Sequence, residues 1–189
     1  MSENPSFESV MALTETISNH HMLCDTDCKA MYECCLEVPE NGVVVEVGCA
    51  EGRSSSLIRQ MAVARNFLTI HVDPYLDYPY HAQTWIYNMI DRVAYHPFIL
   101  LRMKTQEAES SIKQLTPNGI DLAYIDGCHD EPVVEADMEI VATRVKPGGL
   151  RAAHDYPSGG VTEAIDRFIV RGGWTKVNQT VGFGVWRRD

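Results

Sequence analysis

Two short stretches in the second half of the sequence carry residues whose types and spacing suit chemistry. Tyr124-Ile-Asp-Gly-Cys-His-Asp130 offers Asp126 and His129, and Ala153-His-Asp-Tyr156 offers His154 and Asp155. Two carboxylates brought to one place can hold a divalent ion, which prefers oxygen ligands. Histidine can accept or deliver a proton near neutral pH. Both stretches follow apolar runs that read as neighbouring strands, so all four residues are expected at strand carboxyl ends, where open α/β sheets bind ligands. The plainer alternative makes Asp126 a turn residue before Gly127 and Asp155 a loop residue close to Pro157.

A third stretch, Val43-Val-Val-Glu-Val-Gly-Cys-Ala-Glu-Gly-Arg-Ser-Ser55, reads as a buried strand, a glycine-hinged turn and a helix start. Glycines let backbone approach a ligand where a Cβ would clash. The spacing Gly48-x-x-x-Gly52 departs from the Gly-x-Gly-x-x-Gly that cradles a dinucleotide pyrophosphate. Fewer glycines, an acidic Glu46 inside the strand and no demand for a phosphate suit S-adenosylmethionine better than NAD. Cys49 falls within this turn.

These residues need a scaffold of alternating strands and helices. The first forty residues read as two helices. Phe7, Val10, Met11, Leu13, Thr14 and Ile17 recur at helical spacing, and Asp25 or Thr26 can cap a second helix running towards Val38. Strands follow at 43–47, 67–72, 98–102 and 120–125, with helices at 54–66 and 106–115. A further helix has Asp130 as N-cap, Pro132 in its first turn and a Val134, Met138, Val141, Val145 stripe. Lys146-Pro-Gly-Gly149 is expected to end that helix before a fifth strand reaching His154. The last helix covers 161–170, and the tail 174–186, broken at Val181-Gly182, reads as an antiparallel pair. The expected fold is α/β. It is a Rossmann-like, doubly wound, mostly parallel sheet with an antiparallel C-terminal strand, helices on both faces and two N-terminal helices. We expect one domain over 1–189, with 1–40 as a helical extension of a 41–189 core.

Composition narrows the partners. The chain has 189 residues and a formal charge of −10, from 16 basic and 26 acidic side chains. That balance argues against nucleic acid, which needs a basic surface. No apolar run is long enough to cross a bilayer and the polar start is no signal peptide, so a cytoplasmic protein is expected. Six cysteines are expected to be free thiols packing as small hydrophobes, although His20, Cys24 and Cys28 share a helical face. The segment from Tyr75 to His96 holds Tyr75, Tyr78, Tyr80, Trp85, Tyr87 and Tyr95. It reads equally as a helix packing on the sheet or as an aromatic flap over a pocket.

With the order strand, Gly-x-x-x-Gly, helix, strand, Asp73, the sequence resembles the class I S-adenosylmethionine-dependent methyltransferases. Tyr124–Asp130, Lys146–Gly149, Ala153–Tyr156 and Gly160–Phe168 resemble the small-molecule O-methyltransferases of cephalosporin and macrolide-sugar biosynthesis. The resemblance covers roughly residues 40–189. It implies that Gly48 and Gly52 pass close to the methionine and ribose parts of the cofactor. Glu46 would order the ammonium group, directly or through water, and Asp73 would accept both ribose hydroxyls. Thr105 and Gln106 would frame adenine, as a Ser-Gln or Thr-Gln pair does in catechol-type enzymes; a helix N-cap is the plainer role for Thr105. In metal-dependent relatives the strand-4 Asp and an acidic pair after strand 5 bind Mg²⁺, which makes Asp126, His154 and Asp155 the corresponding ligands. A histidine in that set suits Mn²⁺, Fe²⁺ or Zn²⁺ better than Mg²⁺. His129 stands where catechol-type enzymes carry the lysine that deprotonates the acceptor, with His154 a second candidate base. The expected activity is methyl transfer to a hydroxyl of a small molecule, assisted by a divalent cation (Mg²⁺ or Mn²⁺). The rivals are an NAD(P)-linked oxidoreductase and a non-catalytic cofactor-binding module. The N-terminal helices would cover the acceptor or join two copies in a homo-oligomer.

Overall fold

Valine-rich runs with no polar periodicity form strands buried on both faces, and they set the frame here. A computed structural model describes residues 4–17, 23–76, 78–93 and 95–189. It contains strands β1 (Val43–Val47), β2 (Leu68–Val72), β3 (Phe98–Leu101), β4 (Ile120–Ile125), β5 (Val145–His154), β6 (Trp174–Gln179) and β7 (Phe183–Arg188). They make one sheet in the order β3-β2-β1-β4-β5-β7-β6. Strands β1 to β5 are parallel, β7 runs antiparallel to β5, and β6 antiparallel to β7. The strand order reverses at β1 and β4, the point at which such sheets open a crevice.

Helices α1 (Phe7–Thr14), α2 (Asp25–Glu37) and α3 (Arg53–Arg65) cover one face, where Met31, Cys35, Leu57 and Met61 meet Val44, Leu122, Tyr124 and Phe183. Helices α5 (Thr105–Leu115), α6 (Glu131–Val141) and α7 (Gly159–Ile169) cover the other, through Ile112, Met138, Val141 and Ile165. Helix α4 (Pro79–Tyr87) runs directly into a π-helical turn at Asn88–Arg92. The aromatic segment combines packing helix and exposed rim. Tyr75 and Trp85 are buried, whereas Tyr78, Tyr80, Tyr87 and Tyr95 are exposed.

Several boundaries differ from the sequence reading, and three of the differences have a clear local cause. Helix α3 starts at Arg53 because Gly52 takes the left-handed conformation (φ +99°) that ends the turn. Thr105 is the first residue of α5 and Lys104 precedes it as the N-cap, so the threonine does not act as the cap. Lys146–Gly149 lies within β5, where the pairing jumps from Ile120–Val145 to Leu122–Leu150. The extra residues bulge out of the ladder, and a 3₁₀ turn at Ala142–Arg144 ends the preceding helix instead. All six cysteines are free. His20, of the suggested His20–Cys24–Cys28 face, lies outside the described residues. No helix among the described residues is long and apolar enough to cross a membrane.

Gly48 ties the end of β1 to the loop after β4. At φ +83° a Cβ there would come within 2.0 Å of the Asp126 carbonyl oxygen. Backbone cannot yield as a flexible side chain can, so G48A is expected to lower stability by roughly 3 kcal/mol or more. Urea denaturation of the purified variant reads this; an unchanged midpoint would contradict it.

Candidate active site

The carboxyl ends of β1 to β5 surround a cavity of about 1050 Å³. Each strand end contributes a segment. After β1 come Gly48, Cys49, Ala50 and Glu51, then Arg53 and Ser54 at the start of α3. Asp73, Pro74 and Tyr75 follow β2, and Lys104, Thr105 and Gln106 follow β3. Asp126 to His129 follow β4, and His154 and Asp155 follow β5. Leu76, Tyr78 and His81 reach the cavity from the aromatic segment, with the Tyr78 and His81 rings stacked 5.0 Å apart. Ala50, Tyr75 and Asp155 are non-glycine residues at positive φ (44°, 51° and 54°), and all three line the cavity. Such conformations persist only where surrounding structure enforces them, and they gather at functional sites.

Asp73 does the enforcing on one side. Its Oδ2 accepts from the Cys49 and Ala50 amides (2.8 and 3.1 Å) and its Oδ1 from the Tyr75 amide (2.8 Å). The carboxylate therefore fixes the glycine turn against the end of β2. Beyond it, the first turn of α5 presents Thr105 and Gln106. Asp137 of α6 lines the same end, is 3% exposed, and has its carboxyl pushed up to about 6 by burial, with the Thr105 hydroxyl opposing.

On the other side a chain of acids and imidazoles crosses from β4 to β5. Asp126 Oδ2 accepts from the Tyr124 hydroxyl (2.7 Å), and its Oδ1 lies 3.3 Å from His154 Nδ1. That Nδ1 is also 3.2 Å from Asp155 Oδ2, which in turn is 2.9 Å from His129 Nε2. His154 Nε2 faces Asp27 Oδ2 of helix α2 at 3.7 Å. Burial pushes the Asp126 carboxyl up, and hydrogen bonds from His154 and Tyr124 oppose it. Burial also works against charge on His154. It is overcome by Asp126, Asp155 and Asp27, so the imidazole is raised to about 9. The three carboxylates around His154 favour its imidazolium form, whereas His129 is the more exposed of the two rings. Donor atoms of Asp126, His154 and Asp155 lie within 4.8 Å of one another, close enough for one cation with mixed oxygen and nitrogen ligands.

Two members of the expected cofactor set sit behind the cavity wall. Glu46 has a fully buried side chain and accepts from Ser54 Oγ and Ser55 Oγ (2.5 Å each), with His71 Nδ1 at 2.6 Å. Gly52 makes room for Trp85 and Met89, whose atoms lie 3.0 and 2.9 Å from the position of a Cβ. Gly48, Cys49, Asp73, Thr105, Gln106, Asp126, His129, His154 and Asp155 all line the cavity as expected. Sequence reasoning misses Asp27, Glu51, Arg53 and Asp137. For Glu51 and Arg53 a signal exists, since both flank Gly52 in the turn; for Asp27 and Asp137, on distant helices, none does.

A sheet of this order here carries a carboxylate-laced glycine turn at one end of its cavity and a cluster of acids and imidazoles at the other. Residues 45–156 match the family described as "Methyltransferase domain", and the chain belongs to that family. This decides against the nicotinamide-linked oxidoreductase. Among solved structures, it is similar to TomG, an O-methyltransferase of tomaymycin synthesis from Streptomyces achromogenes in complex with SAM. Identity there is 13%, coverage 100% of this chain and 92% of that one, and the TM-score 0.71. A TDP-rhamnose 3′-O-methyltransferase of calicheamicin biosynthesis is 19% identical, over 98% of this chain and 88% of that one, with a TM-score of 0.66. An O-methyltransferase from Bacillus cereus in complex with SAH is 15% identical over 98% and 92%, also at 0.66. At these identities the likeness speaks for the fold. Among curated proteins no match is found.

The raised His154 makes stability depend on alkaline pH. A group whose pKa is higher folded than unfolded contributes fully below the unfolded value, near 6.5, and loses that contribution as pH rises through about 9. Unfolding free energy is expected to fall by about 1–3 kcal/mol across that window after allowance for screening. In H154N the fall should be flattened. Urea titrations at pH 6, 7.5 and 9 measure it, and parallel curves for the two proteins would refute the assignment.

Proposed function

We propose that this chain transfers the methyl group of S-adenosylmethionine to a hydroxyl of a small molecule, with assistance from a divalent cation. The observation that carries this reading is the cluster of Asp126, His129, His154 and Asp155 at one end of the cavity, beside the glycine turn. S-adenosylmethionine, when bound, supplies an electrophilic sulfonium methyl, and in-line displacement by the acceptor oxygen leaves a thioether. The residues present suit such a cofactor. Asp73 ends β2, and three amides occupy three of the roughly four acceptor sites of its carboxylate. It thus has room for one ribose hydroxyl rather than both. Buried Thr105 and Asp137, with the exposed Gln106 beside them, give the adenine end its polar groups.

At the chemical end the chain must hold the acceptor oxygen in line and remove its proton. His129 takes the proton at Nδ1, and Asp155, 2.9 Å from its Nε2, stabilises the imidazolium that results. The hydroxyl's one proton goes to His129, so Asp126 and Asp155 position the acceptor through the cation they would help to hold, and positioning of this kind supplies much of the rate. Asp126, His154 and Asp155 would hold the cation, and a bound cation lowers the pKa of a coordinated hydroxyl. The aromatic rim at Tyr78 and His81 favours a flat or ring-bearing acceptor.

Transfer of labelled methyl from S-adenosylmethionine to a panel of hydroxylated aromatics and sugars tests the activity. D126N is expected to lower kcat/KM by about 10²-fold or more while the fold persists. Unchanged turnover would remove Asp126 from the mechanism. Cofactor binding without transfer to any acceptor would favour the non-catalytic module. Exhaustive chelation should abolish activity, with Mn²⁺ restoring it better than Mg²⁺ because one ligand is an imidazole. Activity that survives chelation would dismiss the cation.

A further inference from the structure

Two of the groups offered to a cation at the β4 and β5 ends have their second donor atom taken up by a buried side chain behind them. Tyr124 and Asp126 are two residues apart and so fall on the same side of the chain at the end of β4. The Tyr124 hydroxyl donates to Asp126 Oδ2 at 2.7 Å, which leaves Oδ1 as the oxygen 3.3 Å from His154 Nδ1. His154 Nε2 faces Asp27 Oδ2 at 3.7 Å, which leaves Nδ1 turned towards Asp126 and towards Asp155 Oδ2 at 3.2 Å. Tyr124 and Asp27 are held in turn. Tyr124 is fully buried, with its ring 5.7 Å from that of Phe183, and Phe183 pairs with His154 in the β5–β7 ladder. Asp27 is 3% exposed; its Oδ1 accepts from the Thr180 hydroxyl and its Oδ2 from the Cys24 thiol at 2.9 Å. Thr180 belongs to the turn between β6 and β7, so the C-terminal hairpin backs both residues.

From this arrangement we propose that Tyr124 and Asp27 are positioning residues for the divalent cation, engaging Asp126 and His154 from behind so that Oδ1 and Nδ1 converge with Asp155 Oδ2. The inference rests on the cation reading above. Neither residue lines the cavity, so each acts through the group it touches. Asp27 also lies outside the stretch 45–156 that matches the family, on a helix of this chain's N-terminal part. The physical reason is general. An imidazole that binds a metal through one nitrogen is oriented by the partner of the other, and a ligating carboxylate is oriented by a donor on its spare oxygen. Without Tyr124 the Asp126 carboxylate is free to rotate, and without Asp27 the His154 ring loses the charge that sets which nitrogen faces inwards.

The test titrates the purified full chain with Mn²⁺ alone and reads free Mn²⁺ by its electron paramagnetic resonance signal, with no turnover required. Y124F removes one hydroxyl and keeps the ring; D27N keeps the volume and removes the charge. Each is expected to weaken Mn²⁺ by about 10- to 100-fold. S-adenosylhomocysteine, titrated separately, should bind both variants as it binds the wild type, because its contacts lie at the other strand ends. If D27N loses S-adenosylhomocysteine as well, its fold has suffered and Y124F decides. Mn²⁺ affinity unchanged in Y124F and D27N, whatever happens to their urea midpoints, would mean that the two residues merely pack; the inference then fails and the cation reading stands. A wild type that binds no Mn²⁺ would overturn both.

Discussion

A carboxylate inside the core holds this molecule's working end together. Glu46 stands on β1, fully buried, with Ser54 and Ser55 of α3 donating to its two oxygens and His71 of β2 against one of them. Ser55 also accepts from Trp85 Nε1 at 2.8 Å, which adds helix α4 to the same knot. Four elements thus meet at one side chain. A buried acid with every oxygen engaged gives direction as well as cohesion, because removing one partner leaves charge uncompensated in a dry interior. The direction matters here: it sets where α3 begins, and so where Glu51 and Arg53 stand, and it lays α4 over the glycine turn. Arg59 extends the hold by donating to the Met89 and His96 carbonyls, which secures the far end of the aromatic segment.

On that frame the chemical character of the cavity lining changes along the sheet. Towards β3 and β2 its wall is laced by backbone amides and buried side chains, which suits the recognition of a ligand that must not move. Towards β4 and β5 the wall is ionisable, which suits a proton in transit. Gly48 joins the two halves, since the backbone after β4 rests against it where no Cβ could fit.

Much of this is legible in the amino-acid sequence. β1, β2 and β4 are readable because each is a short, largely apolar run closed by glycine or aspartate, and parallel pairing follows from the intervening helices. Asp73, Asp126, His129, His154 and Asp155 are legible for the same reason, because strand ends in such a sheet share one edge. Glu46 falls on the correct strand, yet nothing in the sequence says which face it takes. In a strand buried on both sides, alternation carries no information about which face meets a ligand. The start of α3 reads as Ser54 because the left-handed Gly52 leaves no polar signature. The bulge at Lys146–Gly149 looks like the end of a helix for want of any hydrophobic contrast. Asp27 is illegible for a different reason. It lies on an early helix, and only the packing of α2 over the β6–β7 turn, where Thr180 donates to it, brings it to His154.

Asp27 changes the electrostatics of the chemical centre. Asp126 and Asp155 alone would leave two carboxylates facing one imidazole; with Asp27, both nitrogens of His154 have an acidic partner, and the ring can meet all of them only as a cation. The protein thereby carries its own positive charge at the place where a divalent ion would sit. A metal entering this site must displace a proton from His154 before the ring nitrogen can become a ligand, so metal and proton compete for one position. The substitution of histidine for the acidic residue expected there gives the centre a resident charge that varies with pH, and this is where the chain's own sequence departs furthest from the pattern it resembles.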